Sequence, residues 1–446
     1  MTSIPSADIE IGSMRRPLRL RQANRHDVVP VPARLEDLIP RDHLARLIWE
    51  AVERLDLSAF CAHIKVCEGD PGAPAVDPQI LITLWLYAIT QGVSSARQID
   101  DLRVAHIAYM WICGGVRLNY HTISDFRTDY EEELDELMTQ VVKQLDAAGL
   151  VELSTQGQDG MRVRASAGAA SFRRQPTLEK ALEQAQTREA EVEQAGQAES
   201  DQRTAGQKAA QERAARERVA RLKAALEEMP AARAAKKPDE QDQARVSSTD
   251  AEARVMKMPD GGYRPAYNWQ FSVELSNLAI TGVDVVNIGS DKAQMEPMVK
   301  QVVARTDQLP KNWLVDGGFI KFTVIEALDA RGVAVFGPVP EPRGEDRDRY
   351  APLPTDSDVI AEWRQRMGTE EGKETYKQRS LVELPNAHAR SRYGIQQVRV
   401  RGRRKVRCIA LWVAIIHNLL IWIRHLWQVA ASSSGQLQAC GTNAGA

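Results

Sequence analysis

The chain is poor in cysteine, and its net charge is close to zero. It has five cysteines in 446 residues, an odd number at wide spacing, which predicts neither a disulfide framework nor a usual zinc site. The formal net charge of −2 indicates no partner by itself, so the distribution of charge along the chain matters more than its sum. A reducing cytoplasm is the location that this composition favours.

The sequence also lacks an apolar run as long as a bilayer requires. The most apolar stretch, CIALWVAIIHNLLIWI at residues 408–423, is shorter than the roughly 20 residues that span a membrane and is interrupted by His417 and Asn418. We therefore predict a buried core helix there. The first residues, MTSIPSADIEIGSMRRPLRLRQANR, carry cations after a polar start but no apolar core segment, which is not the pattern of a secretory signal.

What the chain does have is the composition of a soluble globular protein, with 43% hydrophobic and 26% charged residues. Its length is too great for one ordinary core, so we expect two or three structural units. The residue patterns divide the chain into a basic arm (1–35), a helical region (36–150), a mixed α/β region (151–430) with a helical insertion (176–250), and a disordered tail (431–446).

Residues 36–150 have helical periodicity. In DHLARLIWEAVERLDLSAF, apolar residues recur at spacings of three and four and form one apolar face. Further short helical patterns follow, joined by turns that contain glycine. This succession is compatible with a helix-turn-helix-like bundle and equally with an ordinary helical domain.

From Leu153 the pattern changes to alternation, first in STQGQDGMRVRASA and later in AYNWQFSVEL (266–275) and AITGVDVVNI (279–288). Helical patterns then alternate with the short apolar runs NWLVDGGF and VAVFGPVP, which predicts a mixed α/β sheet. After the first strand, a segment rich in Glu, Gln, Ala, Arg and Lys predicts a short helical hairpin, and KKPDEQDQARVSSTDAEA predicts a polar linker.

Two aspartates stand where such a sheet could present them together. Asp159 lies in the first strand, and Asp316 lies at the end of the fourth. Carboxyl ends of adjacent parallel strands face the crevice where α/β sheets bind ligands, and the neighbouring Gly160, Gly317 and Gly318 leave room for a ligand to approach. Each Asp-Gly pair taken alone is also an ordinary turn dipeptide.

A third acid, Glu383, lies in YKQRSLVE, where an isolated glutamate would be read as a solvated helix residue. Two strand aspartates and a helical glutamate could, however, hold two Mg²⁺ ions about 4 Å apart, the arrangement for in-line attack on a phosphodiester. Tyr376, Arg379, Glu383 and Arg390 follow one another at spacings of three, four and seven, which predicts that they share one helix face.

Together these blocks resemble a DDE transposase of a bacterial insertion sequence. The motifs in question are QDGMRVRASAG, RVMKMPDGGYRPAYNWQ, WLVDGGF and the spaced set that runs from Tyr376 to Arg390. They look most like the group of insertion sequence eleven eighty-two, in consistent order over roughly residues 30–425. The resemblance implies an RNase H-like catalytic domain at 151–430 and a helical DNA-binding domain at 36–150.

The resemblance also implies roles for individual residues. Asp159, Asp316 and Glu383 would be the catalytic acids that bind two Mg²⁺ ions, or Mn²⁺, while Tyr376, Arg379 and Arg390 would contact DNA. Arg390 stands where the family has lysine, and a guanidinium does not contact phosphate as an ammonium does. The family's Tyr-Asn-x-Gln block corresponds to residues 267–270, YNWQ. Asp284 and Asp291 are spare acids, and Asp291 is predicted to cap the helix that contains QMEPM.

Cations outside this set predict further DNA contacts. The run RSRYGIQQVRVRGRRKVR (390–407) contains no acid and could neutralise several phosphates. The basic arm could also settle on DNA or serve only solubility, and Trp269 could stack on an extruded base, although packing in the core is favoured. The residues of the run that we predict to bind DNA are Arg399, Arg401, Arg403, Arg404 and Lys405.

The function that the sequence predicts is DNA transposition: binding of double-stranded terminal inverted repeats, metal-dependent cleavage, and transfer of the freed 3′-hydroxyl to target DNA. We expect a homodimer in a synaptic complex, a cytoplasmic, nucleoid-associated location and no membrane partner. Two alternatives stay open. One is a stand-alone Mg²⁺-dependent nuclease, and the other is a domesticated copy that binds DNA without catalysis.

Overall fold

The computed structural model describes residues 34–66, 74–197, 204–341 and 347–441. The predicted basic arm and Cys67 therefore lie outside the described residues, apart from the last two residues of the arm. The N-terminal region is helical, as predicted. After a 3₁₀ turn (Leu35–Leu38) its helices are α1 (Leu44–Glu53), α2 (Ser58–Cys61), α3 (Pro78–Thr90), α4 (Ala96–Ala105), α5 (Ile107–Cys113), α6 (Tyr120–Phe126) and α7 (Glu131–Ala147).

Helix α3 forms the centre of this region. The Asp77 carboxylate accepts a hydrogen bond from the backbone N–H of Gln79 at 2.8 Å, and Pro78 occupies the first turn, so cap and proline together define the start of the helix. Nearly all of its side chains are buried. Trp85 donates its indole N–H to the carbonyl of Ile123 at 2.8 Å, which ties α3 to α6.

The mixed sheet follows. Its strands are β1 (Thr155–Arg164), β4 (Arg254–Lys257), β5 (Tyr263–Glu274), β6 (Ile280–Val286), β7 (Asn312–Leu314) and β8 (Ala334–Phe336), while β2 (Phe172–Arg173) and β3 (Val246–Ser247) form a separate pair. The order is β4-β5-β1-β7-β8, and β6 also pairs with β5. Strand β5 runs antiparallel to both β1 and β6, and β1, β7 and β8 run parallel. This is the RNase H-like α/β arrangement that the sequence predicts.

The helical insertion lies between β2 and β3. It contains α8 (Gln175–Gln197), α9 (Ala205–Glu227) and α10 (Met229–Ala234), and α8 packs against α9 as the predicted hairpin requires. A small apolar cluster that includes Leu178, Leu222 and Met229 is separate from the main core. The prediction of a polar linker is wrong in part, because this segment contains a 3₁₀ turn (Pro238–Gln243) and β3. Strand β4 begins directly after it, in RVMK. Two to four residues are too few for alternation to reveal a strand.

The C-terminal part covers the sheet with helices. They are α11 (Met295–Thr306), α12 (Phe322–Asp329), α13 (Asp358–Gly368), α14 (Glu370–Lys377), a 3₁₀ turn (Gln378–Val382), α15 (Glu383–Ser391) and α16 (Arg403–Gly441). A β-carbon added at Gly157 in β1 would overlap the Val382 side chain. The segment that leads into Glu383 is therefore packed directly on the central strand, and only glycine permits that approach.

Helix α16 confirms the predicted core helix. It is long and apolar enough to cross a membrane, yet 83% of its apolar window is buried inside the molecule. The polar pair that interrupts the run binds backbone. Asn418 accepts from the N–H of Ile280 (2.9 Å) and donates to its carbonyl (2.7 Å), and His417 Nε2 hydrogen-bonds the carbonyl of Leu278 (2.9 Å). These bonds satisfy backbone groups at the free edge of β6.

The end of α16 differs from the expectation of a disordered tail from residue 431. The helix continues to Gly441, beyond the predicted boundary, and residues 442–446 lie outside the described ranges. No proline interrupts residues 408–441, so the helix, once nucleated by its buried part, can propagate.

Candidate active site

Strand register brings Asp159 and Asp316 to the same level of the sheet. In the parallel pair of β1 and β7, Gly157 lies opposite Leu314. Asp159 lies two residues after Gly157 and is still within β1. Asp316 lies two residues after Leu314, just past the end of β7. Side chains two residues apart lie on the same face of a strand, so the fold presents both carboxylates on one side of the sheet.

Glu383 is the first residue of α15. The single helix face predicted for Tyr376, Arg379, Glu383 and Arg390 is wrong, because the segment consists of α14, a 3₁₀ turn and α15. A 3₁₀ turn has three residues per turn and rotates the positions that follow it. Arg379 and Glu383 remain neighbours, whereas the Arg390 side chain makes no hydrogen bond or ion pair with any residue that the structure describes.

One guanidinium contacts all three acids. Arg379 Nη2 lies 2.9 Å from Asp159 Oδ1 and 3.6 Å from Asp316 Oδ2, and its Nη1 lies 2.5 Å from Glu383 Oε1. Arg379 is 12% exposed, and its Nε has no hydrogen-bond partner. The three residues that the sequence singled out, from β1, the end of β7 and α15, therefore converge on one point.

Asp159 is the most buried of the three acids. Its Oδ2 accepts from Asn386 Nδ2 at 2.8 Å, and its Oδ1 accepts from the N–H of Gly160 at 3.0 Å. Burial raises the pKa of the Asp159 carboxyl and outweighs the opposing effects of Arg379 and Asn386. Asn386 was missed in the sequence. Its position three residues after Glu383 on α15 is the signal that could have revealed it.

Asp316 and Glu383 are more open to solvent. The Asp316 side chain is 44% exposed and accepts from the backbone N–H of Gly318 at 2.8 Å, while the Glu383 side chain is 66% exposed. Tyr376 is half-buried beside this pair, and burial raises its pKa. The site therefore has a buried wall at Asp159 and an open side at Glu383.

The donor set suits a divalent cation. Three carboxylates face one arginine, which leaves an excess of two negative charges, and carboxylate oxygens are the hard ligands that Mg²⁺ prefers. In the described ranges, however, no group of three His, Cys, Asp or Glu side chains is arranged to hold a metal ion. The acids are arranged around the positive charge of Arg379 instead.

Asp291 is not a helix cap, contrary to the sequence prediction. Helix α11 begins at Met295 with Gln294 as its N-cap. The buried Asp291 carboxylate instead accepts from Asn268 Nδ2, Gln270 Nε2 and Arg162 Nη2, each at 2.7 Å. The Asn and Gln of the YNWQ block thus hold an acid. Trp269, between them, is fully buried, which confirms the prediction that it packs in the core.

The predicted DNA-binding cations fall into two groups. Arg403 and Arg404 lie near acids, with Arg403 Nε 3.8 Å from Glu252 and Arg404 Nε 3.3 Å from Glu131. The others are exposed, and their side chains make no hydrogen bond or ion pair with a described residue; they are Arg399, Arg401 and Lys405. The arginines of the N-terminal arm, at positions 15, 16, 19, 21 and 25, lie outside the described residues.

Comparison with known proteins identifies two transposase domains in the chain. Residues 33–129 match the family model described as Transposase domain (DUF772), and residues 235–419 match the one described as Transposase DDE domain. Asp316 and Glu383 lie within the second match, and Asp159 lies between the two. No curated protein and no solved structure matches the chain. Since the two models together match more than half of the sequence in the expected order, the chain belongs to the DDE transposases.

Proposed function

We propose that this transposase binds the ends of a mobile element, cleaves them in a metal-dependent reaction and transfers the freed 3′-hydroxyl to target DNA. The convergence of Asp159, Asp316 and Glu383 on Arg379 carries this proposal. Three acids from separate elements meet beside the central strand of an RNase H-like sheet, on a side that is open to solvent at Glu383. One arginine does not neutralise them, and that imbalance suits a site for cations.

In this proposal Asp159, Asp316 and Glu383 hold Mg²⁺ or Mn²⁺, two ions in the working complex. Bound divalent cations would supply charge stabilisation at the phosphate and lower the pKa of an attacking water or 3′-hydroxyl. The chain keeps the acids in place: Asn386 orients Asp159, and the N–H of Gly318 orients Asp316. The exposed side at Glu383 is where the DNA backbone enters.

Arg379 then has two roles. In the metal-free protein it relieves the mutual repulsion of the acids, since its guanidinium contacts all three. When it leaves them, it is available to a DNA phosphate, together with Tyr376 on the neighbouring turn. Its unpaired Nε supports such a change of partner, because a buried donor without an acceptor is unfavourable.

DNA away from the acids is proposed to follow the exposed cations. Arg390, Arg399, Arg401 and Lys405 form no ion pair with a described acid, although Asp250 attracts Arg401, and Arg403 and Arg404 extend the same surface. We assign 36–150 to binding of the element's ends and 151–430 to catalysis. Both ends must be brought together, so a homodimer in a synaptic complex is the working form, in the cytoplasm at the nucleoid.

The test uses the purified full chain, Mg²⁺ and labelled DNA that carries the ends of its element. Joined products support transposition, cleavage without joining supports a stand-alone nuclease, and a mobility shift without cleavage supports a binding protein. Asp159→Asn, Asp316→Asn and Glu383→Gln should each lower cleavage on the order of 10³-fold or more, because metal ligation supplies several kcal/mol to the transition state. All three should retain the mobility shift.

The matched control is Glu374→Gln, an exposed acid on α14 that pairs only with Lys377. It changes the same charge nearby and should leave cleavage at the wild-type rate. Unchanged cleavage by Glu383→Gln would refute the assignment of the third acid.

A further inference from the structure

The proposed function leaves one buried acid near the site without a role. The Asp291 side chain is 8% exposed and lies between β6 and α11. Its Oδ1 accepts from Asn268 and Gln270 of β5, and its Oδ2 accepts from Arg162 of β1. In the strand register Asn268 lies opposite Arg162, and Gln270 lies opposite Gly160. All these partners thus surround the β1 residue that follows Asp159.

Two glycines show how closely Asp291 approaches the catalytic acids. A β-carbon at Gly160 would lie 2.6 Å from Asp291 Oδ1 and 2.7 Å from Gln270 Nε2. A β-carbon at Gly318 would lie 3.0 Å from Asp316 Oδ1 and 3.6 Å from Asp291 Oδ2. Asp291 therefore packs against the backbone beside Asp159 and also against the loop that orients Asp316.

A plain buried ion pair with Arg162 would explain only one of these contacts. A further metal ligand is also a poor description, because three N–H donors already occupy the two oxygens. We infer that Asp291 is a positioning residue of the active site, which fixes β1 at Gly160 against the loop at Gly318 so that Asp159 and Asp316 face the same cation. This inference rests on the proposed function and gives the Asn and Gln of the YNWQ block their purpose.

The test measures Mn²⁺ binding to the DNA-free protein by calorimetry or electron paramagnetic resonance. Asp291→Asn keeps the shape of the side chain but replaces one carboxylate oxygen by an amide NH₂ group. That group is a donor, and it would face the donors of Asn268, Gln270 or Arg162. Groups that orient metal ligands typically contribute about 10- to 100-fold in metal affinity, and we expect a loss in that range. Asn268→Ala, which removes one of the donors, should weaken Mn²⁺ binding in the same direction by a smaller factor.

The matched control is Asp250→Asn. Asp250 is a buried acid that accepts from Tyr267 Oη at 2.7 Å and from the N–H of Gly402 at 3.1 Å, with neither Gly160 nor Gly318 as a neighbour. A merely structural role predicts that both variants lower the unfolding temperature and leave Mn²⁺ affinity alone. A positioning role predicts that, of these two variants, Asp291→Asn weakens Mn²⁺ binding and Asp250→Asn does not.

Failure of the inference and failure of the proposed function give different results. If Asp159→Asn and Asp316→Asn abolish Mn²⁺ binding while Asp291→Asn and Asn268→Ala bind it as the wild type does, the positioning role is wrong and the metal assignment stands. If Asp159→Asn and Asp316→Asn leave Mn²⁺ binding unchanged, the proposed metal site itself is wrong. Should Asp291→Asn not fold, the result for Asn268→Ala decides.

Discussion

Two clusters of acids face arginines in this molecule, and they differ in charge balance. At the candidate active site, Asp159, Asp316 and Glu383 share Arg379 alone. On α7 three acids meet three arginines that come from α11 and α16. The members of this second cluster are Glu131, Glu132 and Asp135 with Arg305, Arg404 and Arg407, and Asp284 lies 3.9 Å from Arg407 at its edge.

The second cluster joins distant parts of the chain. Asp135 lies 2.5 Å from Arg305 and 2.9 Å from Arg407, so one α7 carboxylate binds both α11 and α16. The charges of this second cluster are nearly balanced, and the Arg305 side chain is 2% exposed. At the active site the balance is three acids to one arginine, and two of the acids are open to solvent. Matched charges around a buried arginine indicate structure, whereas unmatched and accessible charges indicate a place for a ligand.

Asp135→Asn should have the largest effect on stability among the changes that probe this contrast. It leaves the buried Arg305 guanidinium beside a neutral amide, and because Asp135 is partly exposed the loss should cost about 2 kcal/mol, less than the roughly 3 kcal/mol of a fully buried pair. We expect the free energy of unfolding, measured by chemical denaturation, to fall by that amount. Mn²⁺ affinity should stay unchanged. Glu132→Gln is the control, since its acid is 84% exposed and lies 3.9 Å from Arg404, and it should change stability by less than about 0.5 kcal/mol. Loss of Mn²⁺ binding in Asp135→Asn would mean that the clusters are coupled.

Arg379→Gln should act in the opposite way, on metal affinity more than on stability. Removal of the cation that competes for the three acids should tighten Mn²⁺ binding in the DNA-free protein. A partly exposed ion pair contributes up to about 1 kcal/mol, so we expect roughly a three- to fivefold gain in affinity by titration calorimetry.

Arg390→Gln is the matched control for this measurement. It removes the same charge from the same segment, but Arg390 contacts none of the acids, so Mn²⁺ affinity should stay at the wild-type value. Weaker Mn²⁺ binding by Arg379→Gln would contradict the competition between Arg379 and the metal for the three acids. It would mean that Arg379 organises the acids when metal is bound.

The sequence could predict the sheet and the convergence of the three acids because their signals are local or are carried by motifs. Alternation marks β1, β5 and β6, and Asp159 and Asp316 each stand beside a glycine in a recognisable block. The meeting of Arg379 with Asp159 could not be predicted from spacing, because 220 residues separate the partners. Local spacing suggested only the contact of Arg379 with Glu383.

Asp291 shows how a local rule can fail. An aspartate shortly before a helix is the usual signature of an N-cap, and that rule predicted its role. Amide donors from β5 and a guanidinium from β1 instead bury it, since a buried carboxylate takes the strongest donors within reach. In the basic run, likewise, Arg407 and Arg404 bind acids of α7, more than 270 residues away in sequence. Composition alone could not separate these two from the cations of the run that form no ion pair with a described acid.

The smallest effect that we predict concerns the stability of the metal-free protein and its dependence on pH. Burial raises the pKa of Asp159 in the folded state above its unfolded value. The folded protein therefore binds the proton more tightly than the unfolded chain, and the ionised carboxylate lowers stability at neutral pH. Asp159→Asn, which is neutral at every pH, should raise the unfolding temperature slightly at pH 7 in the presence of EDTA.

Acidification should then remove the advantage of that variant. As pH falls through the folded-state pKa of Asp159 toward the ordinary value near 3.8, the wild type takes up its proton and the two unfolding temperatures should converge. If Asp159→Asn were less stable than the wild type at pH 7, the bonds from Arg379 and Asn386 would outweigh burial. The site would then resemble the balanced cluster on α7 rather than an acid set that waits for a cation.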